Sequence, residues 1–214
     1  MIPFPIPPLD EQKRIVAKLD ECFEAIDKAR ANVEKNLNNA KELFQSQLNQ
    51  IFSQKGDGLV EKNLGEVCEK TYNIKWQENQ DVELEYIDLS AVSRETLKIT
   101  ETVSINSSNA PSRAKKIIKT GDIIFATTRP TLKRVAKISN QYNNQICSTG
   151  YVVLRSRDEM IKPEIIFYYI QTDMFMDRME SIQRGTSYPA VTDKDVKETI
   201  FTFPDIKDVQ KDII

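Results

Sequence analysis

The chain has 214 residues, with 30 Lys and Arg against 32 Asp and Glu, three cysteines, six glycines and no histidine; at 40% hydrophobic and 29% charged it suits one or two globular domains rather than a disordered chain. Without histidine, Ser-His-Asp and Cys-His catalysis and every His-containing zinc or haem site are excluded, and Cys22, Cys68 and Cys147, with no C-x-x-C, make neither a disulfide framework nor a four-thiolate metal site. The Pro-rich start is unlike a signal peptide and no apolar run approaches the roughly 18 residues of a membrane span, so a soluble protein of the reducing cytoplasm, away from membranes, is expected.

Between Pro8 and Gly56 there is neither Gly nor Pro, and this predicts one long helix. Pro7 and Pro8 block helix before Leu9, Asp10 and Glu11 suit the positive N-terminal end, and Gly56-Asp57-Gly58 closes it. Ile15, Leu19, Cys22, Ile26, Ala29 and Val33 follow spacings of four and three, a heptad stripe. The stripe then drifts through Leu37, Ala40, Phe44, Leu48 and Ile51 toward the untwisted period of 3.6. Lys and Glu alternate on the other face, so residues 1–56 read as a coiled-coil-type helix that pairs through Ile15, Leu19, Cys22, Ile26, Val33, Leu37, Phe44 and Leu48.

From residue 57 to 203 the texture changes to short apolar runs between turns. Tyr86–Ser90, Ile117–Ile118, Asp122–Ala126, Arg134–Ile138 and Gly150–Arg155 read as strands, and one helix is expected from Pro163 to a stop at Gly185. The fold class is therefore α+β: a long helix followed by a globular mixed domain. Phe201-Thr202-Phe203-Pro204 looks like a strand end before a new helix, and Gln210-Lys211-x-Ile213 repeats Gln12-Lys13-x-Ile15, so residues 204–214 read as the start of a second long helix. That echo points to a fragment, or to a subunit cut within its repeat.

Net charge is only −2, yet residues 112–137 carry eight basic residues and one acid, Asp122. Within this run Thr127, Thr128, Arg129, Thr131, Lys133 and Arg134 fall between two strand-like runs, where a loop can offer a guanidinium fork and hydroxyls to phosphates or base edges. Arg113, Lys115 and Lys116 add to the field; a solvated basic face is the alternative. A second cluster, Arg184, Thr186, Ser187 and Tyr188, follows the expected helix end and is placed near the same groove, although a plain helix cap would look alike. Ser148-Thr149-Gly150 is either a third contact loop or a turn. Trp76 is read as packing rather than stacking on a base. There is no phosphate-binding Gly loop and no Asn-Pro-Pro-Tyr, and Asp88 and Asp122 with Glu85 or Lys137 make only a weak case for a metal-dependent nuclease.

The order of Pro7–Val16, a long helix, Lys119-x-Gly121-Asp122-Ile123-Ile124-x-x-x-Thr128-Arg129-Pro130, Ser148–Tyr151 and Gly185–Ala190 resembles the specificity subunit of type I restriction-modification enzymes. The resemblance implies that the helix is a conserved spacer and the globular part a target recognition domain reading one half of a split site in double-stranded DNA. It implies a subunit with no catalytic activity that holds methyltransferase subunits, joined by an ATP-driven motor nuclease. S-adenosylmethionine and ATP would be bound by those partners. A complete family member is similar to two such units in tandem, so this chain would pair with a second copy or with the other half of a longer subunit. The rival from another class is a coiled-coil assembly protein whose head binds protein and shows no DNA specificity.

Overall fold

The computed structural model describes residues 6–56 and 58–204, and the chain falls into two compact units, residues 1–47 and 48–214. Helix α1 (Leu9–Ser53) supplies the described part of the first unit beyond Pro8, and its last residues, from Leu48, belong to the second. It starts where the prolines allow: the Gln12 N–H donates to the Pro8 carbonyl at 3.0 Å, and the Gln12 amide donates to the Pro7 carbonyl at 2.8 Å. Ile15, Leu19, Ile26, Val33, Leu37 and Phe44 are between 42% and 66% exposed, and Cys22 is exposed with them. No helix among the described residues is long and apolar enough to cross a membrane.

Leu48 departs from the expected pairing stripe. It is 5% exposed and sits with Phe52 in the core of the globular unit, so the last turns of α1 are consumed by that core. The expected second helix at 204–214 lies, from residue 205 on, outside the described residues, as does Asp57 of the helix-closing Gly56-Asp57-Gly58.

After α1 the described residues form, in chain order, β1 (Leu59–Asn63), β2 (Leu84–Ile87), β3 (Val103–Ile105), β4 (Ala114–Ile117), β5 (Ile123–Ala126), β6 (Val135–Lys137), β7 (Ile146–Ser148), β8 (Tyr151–Leu154), α2 (Pro163–Tyr169), α3 (Asp173–Ile182), α4 (Asp193–Lys197) and β9 (Ile200–Pro204). Three sheets result, with orders β1-β9, β3-β2-β7-β4 and β6-β5-β8; only β2 and β7 pair in parallel. β1 and β9 run antiparallel from Leu59↔Pro204 to Asn63↔Ile200 and tie the two ends of the globular unit together.

The period of two along β5 and β8 explains how the layers stack. Ile123 and Phe125 of β5, with Val152 and Leu154 of β8, face one core together with α2 and α3. Ile124 and Ala126, with Tyr151 and Val153, face a second core shared with Ile87, Ala91 and Cys147. Every residue of β5 and β8 is thus buried, and the three-stranded sheet lies between the helices and the four-stranded sheet. Aromatic rings lock the helical side: Tyr169 lies 4.6 Å from Phe201, 5.5 Å from Phe52 and 5.6 Å from Phe175, centroid to centroid.

The single helix expected from Pro163 to Gly185 is instead two. Thr172 breaks it: its buried hydroxyl donates to the Tyr169 carbonyl at 2.7 Å and accepts from the Phe175 N–H at 3.2 Å, starting α3 afresh with Asp173 in the first turn. A Thr-Asp pair is an N-cap signature, and the apolar periodicity on both sides of it hides the interruption. Trp76 packs, as expected, with its indole N–H donating to the Ala114 carbonyl at 2.9 Å.

Candidate nucleic-acid interface

Two connections at one end of the β6-β5-β8 sheet build the site. Past β5, the Thr127 N–H and hydroxyl both donate to the Gly150 carbonyl, at 2.8 and 2.9 Å. The chain then turns through a short 3-10 helix, Pro130–Leu132, flanked by Arg129 at φ 51° and Lys133 at φ 53°. Left-handed backbone at two residues with side chains costs about 1 kcal/mol or more each, and such strain is held where the surrounding structure over-determines the loop. Here the Leu132 N–H bonds to the Arg129 carbonyl and the Lys133 N–H to the Pro130 carbonyl, both at 3.0 Å, while Pro130 is buried. The side chains of Arg129, Thr131 and Lys133 are left exposed.

The second connection is a small hairpin after α3. Arg184 and Ala190 exchange two backbone hydrogen bonds of 2.9 Å, and Gly185 turns at φ +96°, where a Cβ would lie 3.3 Å from the Tyr188 carbonyl oxygen. The hairpin lies along the first loop: the Arg129 N–H donates to the Pro189 carbonyl at 2.6 Å and the Val191 N–H to the Thr127 carbonyl at 2.9 Å. The Arg129 guanidinium sits 4.5 Å above the Tyr188 ring and donates to the Ser187 carbonyl at 3.4 Å. The two loops expected near one groove therefore touch.

Arg113, Thr128, Arg129, Arg134 and Tyr188, with Leu89, Ser90 and Leu132, line a cleft of about 240 Å³. Thr186, Ser187, Thr131 and Lys133 are exposed on the same two loops, and Lys133 lies 4.0 Å from Asp173. Among the described residues no carboxylate pairs with Arg113, Arg129 or Arg134. The acid of the basic run, Asp122, is 1% exposed and is taken by Arg155, whose guanidinium donates to both carboxylate oxygens at 2.8 Å. Asp122 does not line the cleft, and its pairing with Arg155 removes it from any nuclease centre; Lys137 is likewise paired, to Glu164.

Several expected contacts have other work. Lys116 is 14% exposed and donates to the Asp193 carboxylate at 2.5 Å and the Tyr151 carbonyl at 2.6 Å, so it ties α4 to the sheet instead of meeting phosphate. Thr127 is 6% exposed with its hydroxyl committed to Gly150. Arg134 reaches the cleft, but its guanidinium also donates to the Ser90 and Val92 carbonyls at 3.2 and 2.5 Å, which anchors it. Lys115 is exposed on β4 and does not line the cleft. Arg184 donates to Asp195 at 2.8 and 3.2 Å. Ser148-Thr149-Gly150 is a packed turn in which Ser148 is fully buried and a Cβ on Gly150 would come within 2.8 Å of Leu89. Sequence reasoning missed Leu89 and Ser90, which reach the cleft from a 3-10 turn after β2 with no charge or motif to mark them.

Arg184, then the Thr192 N–H and hydroxyl, hold the Asp195 carboxyl well below the usual carboxylate range. A carboxyl lowered in the folded state stabilises the fold above its unfolded value, about 3.9, and loses that contribution as pH falls through the folded one. The stability difference between wild type and Asp195→Asn is thus expected to be constant above about pH 5 and to shrink below about pH 4, read by urea denaturation across pH. A difference that grows on acidification would contradict the assignment.

The family model described as Type I restriction modification DNA specificity domain matches residues 57–214. The type I restriction enzyme HindI specificity subunit of Haemophilus influenzae is 28% identical over 108 residues, 50% of this chain and 24% of that protein. Among solved structures, the HsdS subunit from Thermoanaerobacter tengcongensis is similar with 39% identity and a TM-score of 0.67 over 74% of this chain and 41% of that one. A structure from work on complex assembly and conformational transition of the type I R-M system matches with 38% identity and a TM-score of 0.70, over 75% of this chain and 41% of that one. The chain spans about two fifths of the length of these solved relatives and a smaller share of the curated one.

Proposed function

The chain belongs to the family of type I restriction-modification DNA specificity domains, and from that premise we propose that it is a non-catalytic subunit that reads one half of a split site in double-stranded DNA and holds methyltransferase subunits there. The observation that carries this reading is the joining of the 127–134 and 184–190 loops around a cleft lined by three arginines that no carboxylate neutralises among the described residues. Arg129 is the base reader in this proposal: it is exposed and its guanidinium is held over the Tyr188 ring, where a fork can meet two acceptors of a guanine. Lys133 and Arg113 suit phosphates, which fix register without carrying sequence.

The exposed stripe of α1 supports pairing with a second copy or with the matching helix of a longer specificity subunit. Its 45 residues at about 1.5 Å each make roughly 67 Å, close to two turns of B-DNA, so helix length would set the gap between half-sites. S-adenosylmethionine, ATP, the methyl transfer and the motor nuclease belong to partner subunits in this reading, and the assembly works in the cytoplasm.

Duplex binding measured against salt tests the DNA reading. Affinity should fall steeply and linearly on a log–log plot, because each phosphate neutralised releases condensed counterions. Binding that is absent, or indifferent to salt, would favour a protein-binding head. Ile26→Asp tests the helix: Ile26 is 59% exposed, so a charge there should abolish pairing in sedimentation while the globular unit melts as before. Loss of the globular transition in that variant would contradict two separable modules.

A further inference from the structure

We infer that Asp195 is a positioning residue for the reading edge, clasping the base of the 184–190 hairpin so that Tyr188 lies under Arg129; this rests on the reading function proposed above. The hairpin has little of its own to hold it. Arg184 and Ala190 make one closed pair of hydrogen bonds, Thr186, Ser187 and Tyr188 are exposed, and an isolated two-stranded piece of this size is marginal in water. Backbone bonds to the 127–134 loop hold its second leg, and a single carboxylate joins the two legs at the base. Asp195 accepts two hydrogen bonds from the Arg184 guanidinium, at the hairpin's first leg, and the Thr192 N–H and hydroxyl, just past its second leg, at 2.7 and 2.8 Å. One side chain thereby joins both legs.

The clasp is anchored. Asp195 is the third residue of α4, whose capping box with Thr192 sets its orientation, and α4 is held by fully buried Val196 and by the pairing of Asp193 with Lys116 on β4. From there the path is continuous: Asp195 fixes Arg184, Arg184 pairs with Ala190, and Thr128 bridges Ala190, while Pro189 receives the Arg129 N–H. Arg184, 65% exposed yet spent on Asp195, then acts through the hairpin and not as a phosphate contact. Sequence specificity would depend on three residues, Arg184, Thr192 and Asp195, that touch no base.

Asp195→Asn separates the two roles of this carboxylate, since an asparagine oxygen can still accept from Thr192 and cap α4 while the ion pair with Arg184 is lost. In the complex with its methyltransferase, the preference for the site that methylation mapping returns over random duplex should fall about five- to tenfold in Asp195→Asn and in Arg184→Gln, with random binding nearly unchanged. The double variant should be no worse than either single one, because both break the same link. Amide exchange at Arg129, Arg184 and Ala190 should accelerate by more than the loss of global stability accounts for, because the hairpin opens locally. Equal loss on cognate and random duplex for Arg184→Gln, with Asp195→Asn neutral, would make Arg184 a phosphate contact and overturn the clasp. Unchanged exchange at these amides would overturn it as well. A wild-type chain with no preference among duplexes would sink the reading function instead, and the exchange result would still decide the clasp.

Discussion

Arg129→Ala is expected to lower the preference for the cognate half-site by about 1 to 3 kcal/mol, a factor of about 5 to 150, while binding to random duplex falls far less. The size follows from what the loop invests in this one side chain. Arg129 is held in left-handed backbone, its N–H is bonded to Pro189, and its guanidinium is stacked on Tyr188 with its edge still exposed. A fork fixed in this way loses little freedom when it meets two acceptors on a base, so most of the hydrogen-bond energy appears as discrimination. Competition binding with cognate and scrambled duplexes checks it. Equal losses on both would demote Arg129 to a phosphate contact.

Asp122→Ala should destabilise the globular unit by about 3 kcal/mol, near the lower end for breaking a buried ion pair because Arg155 keeps some solvent contact. The carboxylate accepts hydrogen bonds from Nε and one terminal nitrogen of Arg155 and from the Lys119 N–H at 2.7 Å, just before β5 and opposite the end of β8. Its removal leaves a cation that is 14% exposed and an amide donor without their partner where the central sheet begins. Urea denaturation of the wild type and variant gives the difference. Adding Arg155→Met should recover much of the loss, since a pair removed whole costs less than a pair broken; no recovery would mean that the carboxylate acts through backbone contacts alone.

How legible this molecule was depends on the range of the interaction concerned. α1 could be bounded to within a few residues because Pro8 and Gly56 are local breakers, and β5, β6 and β8 were found because a run such as Ile123–Ala126 announces its own burial. The α2–α3 break at Thr172 was missed because a local cap competed with a periodicity that continued across it. Both loops of the cleft are legible in their charge and turn chemistry. Lys116 is the opposite case: its partner Asp193 lies 77 residues away, and nothing in a basic run says which cation a distant carboxylate will claim. The stack of Arg129 on Tyr188 is equally non-local, so each residue was visible as a candidate and their contact was not.

The central claim, that this chain supplies DNA sequence specificity to a methyltransferase, is tested most directly by mapping methylated sites in cells that make the methyltransferase subunits of its system with and without it. The expected result is a new split motif that requires the chain, and one of whose halves is relaxed by Arg129→Ala. The same methylated sites whether or not the chain is present would contradict the claim.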